Sequence, residues 1–518
     1  MNRFDVDQFN ALIRSAAVSQ APQKAARFQS AQRAVSCCIN PEEFLRAVSM
    51  KVHAIILAAG QGTRMKSALP KVLHRVGGRP MLGRVLAAAH EAGVDVPHLV
   101  LGHSAEQVRA WLADDAAGVP VFASGGIRTV TQPQQLGTAH AVLQALPEIP
   151  DNALVVVLYG DVPLVSAATI RQLIAAAQNG LALVTLELEA PQGYGRILRD
   201  AGGRVTGIVE EKEANSEQRA IREVNTGLLA GRAKRLKRWL SKVRNDNRKQ
   251  EYYLTDVVAL AASDAVEIAV VAADSAGEVE GVNDPVQLAH VERALQKQQA
   301  VQLQREGLYL ADPARFDLRG DLKIGRDVHI DIGCVLEGAI ELGDGVVIGP
   351  YCLLRNVRLG KGTRVEAHSV LDGATAGIDC RIGPFARLRP GAQLADGVWI
   401  GNFVEIKQSN LGEGAKAAHL AYIGDASIGE RVNIGAGVIT CNYDGVDKYQ
   451  TTIGADAFIG SDSQLIAPVA IGAGAYVAAG STIVEDVPQN ALAIARARGQ
   501  KIVPDWRSRK KDHKKDRQ

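Results

Sequence analysis

From about residue 320 onward an aliphatic residue, often followed by Gly or an acidic residue, returns about every six positions, and no other feature constrains the fold so tightly. The series opens with Ile324-Gly325, Ile330-Asp331, Leu336-Glu337, Leu342-Gly343 and Ile348-Gly349. It runs on through Leu359-Gly360, Ile382-Gly383, Ile400-Gly401, Leu411-Gly412, Ile423-Gly424, Ile428-Gly429 and Ile434-Gly435, and resumes at Ile453-Gly454, Ile459-Gly460 and Ile471-Gly472. Chance spacing of such pairs does not persist over this length. The pattern predicts a parallel β-helix in which each hexapeptide is a short strand and a turn. The aliphatic side chain points inward, and glycine lets the chain turn the corner. Aromatic residues make up only 4% of the chain, so its cores must be built from Val, Ile, Leu and Ala. One insertion, Thr440 to Tyr449, interrupts the rhythm and predicts a loop extruded at a corner, where solenoids carry function.

Ahead of the repeat, strands alternate with helices. Val52–Leu57, His98–Leu101, Leu154–Leu158 and Leu183–Leu188 read as strands, and Met81–Ala92, Ala105–Leu112 and Ala167–Gln178 as helices. That alternation predicts an α/β layer with a mainly parallel sheet, whose ligands lie beyond the carboxyl ends of the strands. Residues 285–305 read as one long polar helix opened by Pro285, with a stripe of Val286, Leu288, Val291, Ala294 and Leu295. It is expected to act as a rigid connector.

Directly after the first strand comes Leu57-Ala58-Ala59-Gly60-Gln61-Gly62-Thr63-Arg64-Met65, then Leu69-Pro70-Lys71. Glycines at 60 and 62 let backbone N–H groups approach phosphate oxygens, and Arg64 and Lys71 supply the cations that a triphosphate needs. The loop lacks the Lys-Ser/Thr pair of a Walker A loop and the third glycine of a dinucleotide fingerprint. Asp161, just past the strand Leu154–Leu158, stands where such a sheet places a metal-binding carboxylate.

With these residues in place, the stretch resembles the signature of the sugar-1-phosphate nucleotidyltransferases. Joined to a hexapeptide β-helix, residues 50–500 resemble the bacterial family of bifunctional N-acetylglucosamine-1-phosphate uridylyltransferases / glucosamine-1-phosphate N-acetyltransferases. Further motifs carry the resemblance: Gln132 to Thr138, Tyr159-Gly160-Asp161, Gly193 to Arg196, Gly207 to Glu210, Val224 to Gly227, and Val279 to Asn283. The implied fold is a Rossmann-like α/β nucleotidyltransferase domain followed by a left-handed parallel β-helix. The implied boundaries are 50–284, a linker helix 285–306, and 307–497. The resemblance further implies that Leu57, Ala58, Ala59 and Gly60 face the uridine nucleotide, with Tyr159 and Gly160 in the same pocket. Gln132, Gly137 and Thr138 would read the uracil, Gly195, Glu210 and Asn225 would hold the sugar, and Asp161 and Asn283 would ligate Mg²⁺. The reaction is attack of the sugar phosphate on the α-phosphorus of UTP. Arg64 and Lys71 then act catalytically as neutralising charges, and no covalent nucleophile is needed.

In the repeat, Gly383 to Gly391 with Arg389, Gly401 to Lys407, His419 to Tyr422, Asn433 to Ala436 and Thr440 to Tyr443 resemble the acetyltransferase half of the same family. Arg389 and Lys407 would bind the sugar phosphate, and Tyr422 and Asn433 the sugar and its surroundings. Ala436, Ser461, Ala479 and Arg496, with Asn442 and Tyr443 from the insertion, would line the acetyl-CoA site. His419 would be the general base, an imidazole being suited to accept a proton from the attacking amine near neutral pH. Spacing of about one coil predicts that these side chains gather on one face. The family implies a homotrimer and a place in making precursors of peptidoglycan, lipopolysaccharide and cell wall. The alternative is a single-activity nucleotidyltransferase with a structural or regulatory β-helix.

The remaining features set bounds. A net charge of +3 argues against nucleic acid as a partner, and no apolar run is long enough to insert in a membrane. Six scattered cysteines show no metal spacing, and Cys334, Cys352, Cys380 and Cys441 read as small buried fillers suited to a reducing cytoplasm. Residues 1–49, with Cys37 and Cys38, read as a poorly structured extension upstream of Met50 as initiator, and 498–518 as a basic solvated tail.

Overall fold

Among the described residues, eleven strands build the first half: β1 (Val52–Ala58), β2 (Arg75–Val76), β3 (Arg79–Pro80), β4 (Val96–Leu101), β5 (Arg128–Thr131), β6 (Leu154–Tyr159), β7 (Leu181–Glu187), β8 (Arg196–Arg199), β9 (Val205–Val209), β10 (Glu223–Arg232) and β11 (Ile268–Ala272). The computed structural model describes residues 50–114, 118–122 and 126–496. The expectations for 1–49, Cys37, Cys38 and 498–518 therefore lie outside the described residues. The sheet runs β11-β7-β10-β6-β1-β4-β5, with the β8–β9 hairpin hung from β10. Strands β1, β4, β5 and β6 are mutually parallel where they pair, and β1 and β6 are buried on both faces, as helix-covered parallel strands are.

Two features were not legible in the alternation. Strand β10 runs antiparallel to both β6 and β7, and β8 and β9 pair antiparallel, so the sheet is mixed. The β10 pairings join segments far apart in sequence, and register across such distances leaves no local period. The separate β2–β3 hairpin was likewise unforeseen.

Register explains why one edge of the sheet carries the chemistry. Leu57 is level with Tyr159 and Ala58 with Leu101, so three strands end together. The Gly160 N–H donates to the Leu57 carbonyl at 2.9 Å and the Gln132 N–H to the Leu101 carbonyl at 2.7 Å, which brings the following segments over the same edge.

From Tyr309–Leu310 to Leu492–Ala493 the chain winds into a parallel β-helix. Every strand pairs in parallel with the next coil, as in the stack Leu336, Leu354, Leu371, Leu388, Ile406 and Ile423, all buried in one continuous core. Cys334, Cys352 and Cys380 fill that core, whereas Cys441 is only half-buried. The Ile-Gly glycines act differently from the expectation: most do not take the left-handed conformation. At Gly401 a Cβ would lie 1.8 Å from the Ala418 carbonyl oxygen, so glycine is required by the approach of the next coil. The left-handed corner conformation falls instead on Tyr351, His368, Phe385, Phe403 and Leu420, four of whose rings stack outside the coil.

The helix Pro285–Arg305 has the predicted bounds, with Asp284 capping it by accepting from the Gln287 N–H at 2.9 Å. Its buried stripe is Val291, Leu295, Ala300 and Leu303, while Val286 is exposed. The helix is more than a connector: Ala300 and Leu303 belong to the β-helix core, and Val291 and Leu295 to a small core shared with the α/β domain.

Candidate functional site

The first cleft sits at the carboxyl edge of β1, β4 and β6. A cavity of about 250 Å³ is lined by Leu57, Ala58, Ala59, Gly60, Lys71, Gln132, Gly137, Thr138, Tyr159 and Asp161. Gln135 and Glu251 also line it. They were missed because single polar residues in a loop leave no pattern; Gln135, within the motif Gln132 to Thr138, was within reach of motif reading. Gly137 must be glycine, because its φ is +113° and a Cβ would lie 2.4 Å from the Tyr252 carbonyl oxygen. It precedes the helix Thr138–Ala145, whose N-terminus faces the cavity, and Thr138 Oγ1 accepts from the Leu254 N–H at 3.0 Å. Gln132 is buried and bonded to the Gly137 carbonyl and to His140.

At the mouth of the cleft Lys71 Nζ donates to Asp161 Oδ2, and to Asn283 Oδ1 at 3.3 Å. Two hard oxygen donors thus converge on one cation, although the residues are far apart in the chain. The Val282 N–H donates to the Asp161 carbonyl at 2.9 Å, which fixes Asn283 beside Asp161. Burial, then the charges of Asp161 and Glu210, raises the Tyr159 phenol above its ordinary value and keeps it neutral. Arg64 stands exposed on the turn Thr63–Met65 and is not among the cavity-lining groups, unlike Lys71.

The three residues expected at the sugar cluster beside this cleft. The Asn225 N–H donates to the Gly195 carbonyl at 2.8 Å, and a Cβ on Gly195 would lie 3.6 Å from Glu210 Oε1. Arg196, wholly buried, pairs with Glu211 at 2.6 Å and so ties together the neighbours of Gly195 and Glu210. Glu210 also accepts from Thr255 Oγ1 at 3.1 Å.

The second site spans a corner of the β-helix, and the residues expected there do not share one column. Arg389 and Lys407 lie on successive coils, the Arg389 N–H donating to the Ile406 carbonyl. Tyr422 stacks on Glu405, Asn433 on Lys416, and His419 on Asn402. The corner at Leu420 separates His419 from Tyr422. One-coil spacing was thus too coarse, because a shift of a few residues within a coil moves a side chain to the next face.

Each cation has a carboxylate partner: Arg389 with Glu405 at 2.9 Å and Lys407 with Asp425 at 3.2 Å. Asp425 also accepts from Asn442 Nδ2, so the insertion is anchored to the Lys407 neighbourhood. The insertion closes on itself through a Tyr443–Lys448 bridge, leaving Tyr443 exposed. His419 is exposed, with Nδ1 2.8 Å from Asn402 Oδ1. From His419 a column of small residues climbs the outer surface: Ala436, Ser461 and Ala479 follow coil by coil, as the Asp462 N–H to Ala436 carbonyl and Gly480 N–H to Ser461 carbonyl bonds show. Arg496 closes the described chain beyond the column and is exposed.

The chain matches the MobA-like NTP transferase domain over residues 54–214 and the bacterial transferase hexapeptide (six repeats) over 321–356 and 450–485. It is 55% identical over 453 residues to the "Bifunctional protein GlmU" of Alkalilimnicola ehrlichii, covering 88% of this chain and 96% of that relative. It is 52% identical over 457 residues to the protein of that name from Aromatoleum aromaticum, covering 88% and 98%, and 52% identical over 464 residues to that of Xylella fastidiosa, covering 90% and 99%.

Proposed function

The chain belongs to the bifunctional GlmU family, and from that premise we propose how its two sites divide the work. It is a transferase with two activities: acetylation of glucosamine-1-phosphate by acetyl-CoA, and transfer of uridylyl from UTP to N-acetylglucosamine-1-phosphate with release of pyrophosphate. The product serves cell-wall biogenesis.

In the α/β domain, uridine lies over Gln132, Gly137 and Thr138, and the triphosphate over the loop from Leu57 to Gly60. The observation that carries this reading is the Lys71 ammonium held between Asp161 and Asn283 at the cavity mouth. Those two oxygens fit Mg²⁺, a hard cation that keeps most of its waters; when bound it neutralises phosphate charge. Lys71 supplies the fixed cation at the α-phosphate, and Gly195, Glu210 and Asn225 orient the sugar so that its phosphate oxygen attacks in line. Arg64 is free to turn toward the outer phosphates, since no carboxylate among the described residues holds it.

In the β-helix, Arg389 and Lys407 take the sugar phosphate and Tyr422 and Asn433 the ring. His419 takes the amine proton as nitrogen attacks the thioester carbon and the CoA thiolate leaves. The column Ala436, Ser461, Ala479 leads to Arg496 and gives acetyl-CoA a flat track, bordered by Asn442 and Tyr443. The exposed rings at the corner, Tyr351, Phe385 and Phe403, support a homotrimer in which a neighbouring copy covers the track. No helix among the described residues is long and apolar enough to cross a membrane; the use of UTP and acetyl-CoA supports a cytoplasmic location.

Paired assays test the reading. Asp161→Ala abolishes pyrophosphate release and spares thiol release from acetyl-CoA, and His419→Ala does the reverse. Loss of both reactions in either variant breaks the two-site assignment.

A further inference from the structure

The segment that carries Lys71 does not end at the cleft. Its turn Lys71–Leu73 leads into the β2–β3 hairpin, whose tip is wedged between the helix Pro285–Arg305 and the first coil of the β-helix. The Gly77 N–H donates to Glu292 Oε2 at 2.6 Å, and Arg84 Nε donates to the Val76 carbonyl at 2.6 Å. Gly77 has a φ of +54°, and a Cβ there would lie 2.5 Å from Leu295 Cδ2. One added at Gly78 would lie 2.9 Å from the Arg319 carbonyl oxygen of the β-helix. Beyond the tip, Arg79 Nη2 reaches both oxygens of Asp321, at 2.9 and 3.0 Å.

Asn283 is tied to the same helix from its other side, because its N–H donates to Gln287 Oε1 at 2.8 Å. Between these ties lies a small separate core of Met65, Val76, Met81, Val282, Val291 and Leu295. Met65 follows Arg64, Val282 precedes Asn283, and Val76 belongs to the hairpin. Val291 and Leu295 of the helix close that core. Lys71 and Asn283 stand on two segments outside the central sheet, and a misplacement of about 1 Å at a reacting centre costs on the order of 100-fold in rate.

We propose that the helix Pro285–Arg305 and the first β-helix coil are working parts of the nucleotidyl-transfer site, with Glu292 the positioning residue that sets Lys71 against Asp161 and Asn283. Glu292 touches no reacting atom. It holds the Gly77 amide with one oxygen and accepts from Gln296 Nε2 at 2.8 Å with the other, so its own rotamer is fixed. The inference rests on the assignment of Lys71 and Asn283 given above.

Full-length Glu292→Ala and Glu292→Gln variants test it. The glutamine oxygen still accepts from the Gly77 N–H and only the bond from Gln296 Nε2 is lost, so Glu292→Gln is expected within about threefold of the parent in pyrophosphate release, whereas Glu292→Ala, which loses both bonds, falls about tenfold in kcat. Thiol release stays unchanged in both, and hydrogen exchange at the Gly77 amide quickens in Glu292→Ala alone. Unaltered pyrophosphate release in Glu292→Ala, or an equal fall in both reactions, overturns the proposal. If the parent protein releases no pyrophosphate, the assignment of the cleft is what fails. Unaltered exchange at Gly77 in Glu292→Ala still overturns the positioning role by itself.

Discussion

Asn402 Oδ1 lies 2.8 Å from His419 Nδ1, one coil below it on the same column. An amide oxygen can only accept, so the Nδ1 position carries the hydrogen and the Nε2 lone pair is left free. Removing the amide frees the ring to rotate and to change tautomer. Asn402→Ala is expected to lower kcat of acetyl transfer about tenfold with little change in the KM for acetyl-CoA. Asn402→Asp places an anion beside the ring and favours imidazolium, so the acid limb of the pH–rate profile moves to higher pH. A profile recorded on the parent and both variants checks both statements; an unmoved limb in Asn402→Asp refutes the pairing's role.

The Lys71 ammonium is a compact charge between two oxygens, and a planar guanidinium does not fit that geometry. Lys71→Ala is expected to slow pyrophosphate release by about 100-fold or more, and Lys71→Arg to restore little of it. Thiol release, measured on the same preparations, remains at the parental rate. Recovery with arginine would mean that charge alone suffices.

Ala436, Ser461 and Ala479 leave a flat track only because none has a long side chain. Ala479→Phe adds a ring at an exposed position of the outer surface, with no core contact to disturb. The expected result is a KM for acetyl-CoA raised about tenfold, with the KM for glucosamine-1-phosphate and the melting temperature unchanged. An unchanged KM for acetyl-CoA would place the cofactor elsewhere.

Two groups, half-buried Asp256 and fully buried His98, make stability depend on pH in opposite directions. Burial, then the charges of Glu210 and Asp246, pushes Asp256 up from 3.8 to about 6. The folded state then binds more protons than the unfolded state between those values, and stability falls as pH rises through the window. Asp256→Asn is therefore expected to stabilise by about 1 kcal/mol above pH ~6, with the gain vanishing near pH ~4. Burial, then His53 stacked 5.3 Å away and Arg128, pulls His98 down from 6.5 to about 4. Here the unfolded state binds more protons, so the stability contributed by the neutral ring is lost as pH falls from 6.5 toward 4. Melting curves of His98→Gln across that range should be flatter than the parent's. Parallel curves would deny the ring its role.

The sequence was most legible where its signal is local. Helix bounds such as Ala105–Leu112 and Pro285–Arg305 match the pattern because periodicity, and at Asp284 a cap, act within a turn or two. The Leu336 to Ile423 stack follows from a repeat that any single coil displays. Cavity-lining residues in contiguous motifs, Leu57 to Gly60 with Gln132, Gly137 and Thr138, were within reach of motif reading. Glu251, Asn402, Glu405 and Asp425 were not, because what singles them out is the neighbour they face.

By itself the sequence determined that one half is a nucleotide-type α/β sheet and the other a solenoid, since alternation and six-residue period are properties of neighbouring residues. It also supplied the glycine loop and the cations. Only the tertiary structure decided that Lys71, Asp161 and Asn283 meet, that β10 runs against its neighbours, and that His419 and Tyr422 straddle a corner. It alone seats the β2–β3 hairpin on the helix and the first coil. Those outcomes depend on register and packing between segments that are distant along the chain. Such contacts are selected by the shape and charge of a surface that exists only once both segments have folded.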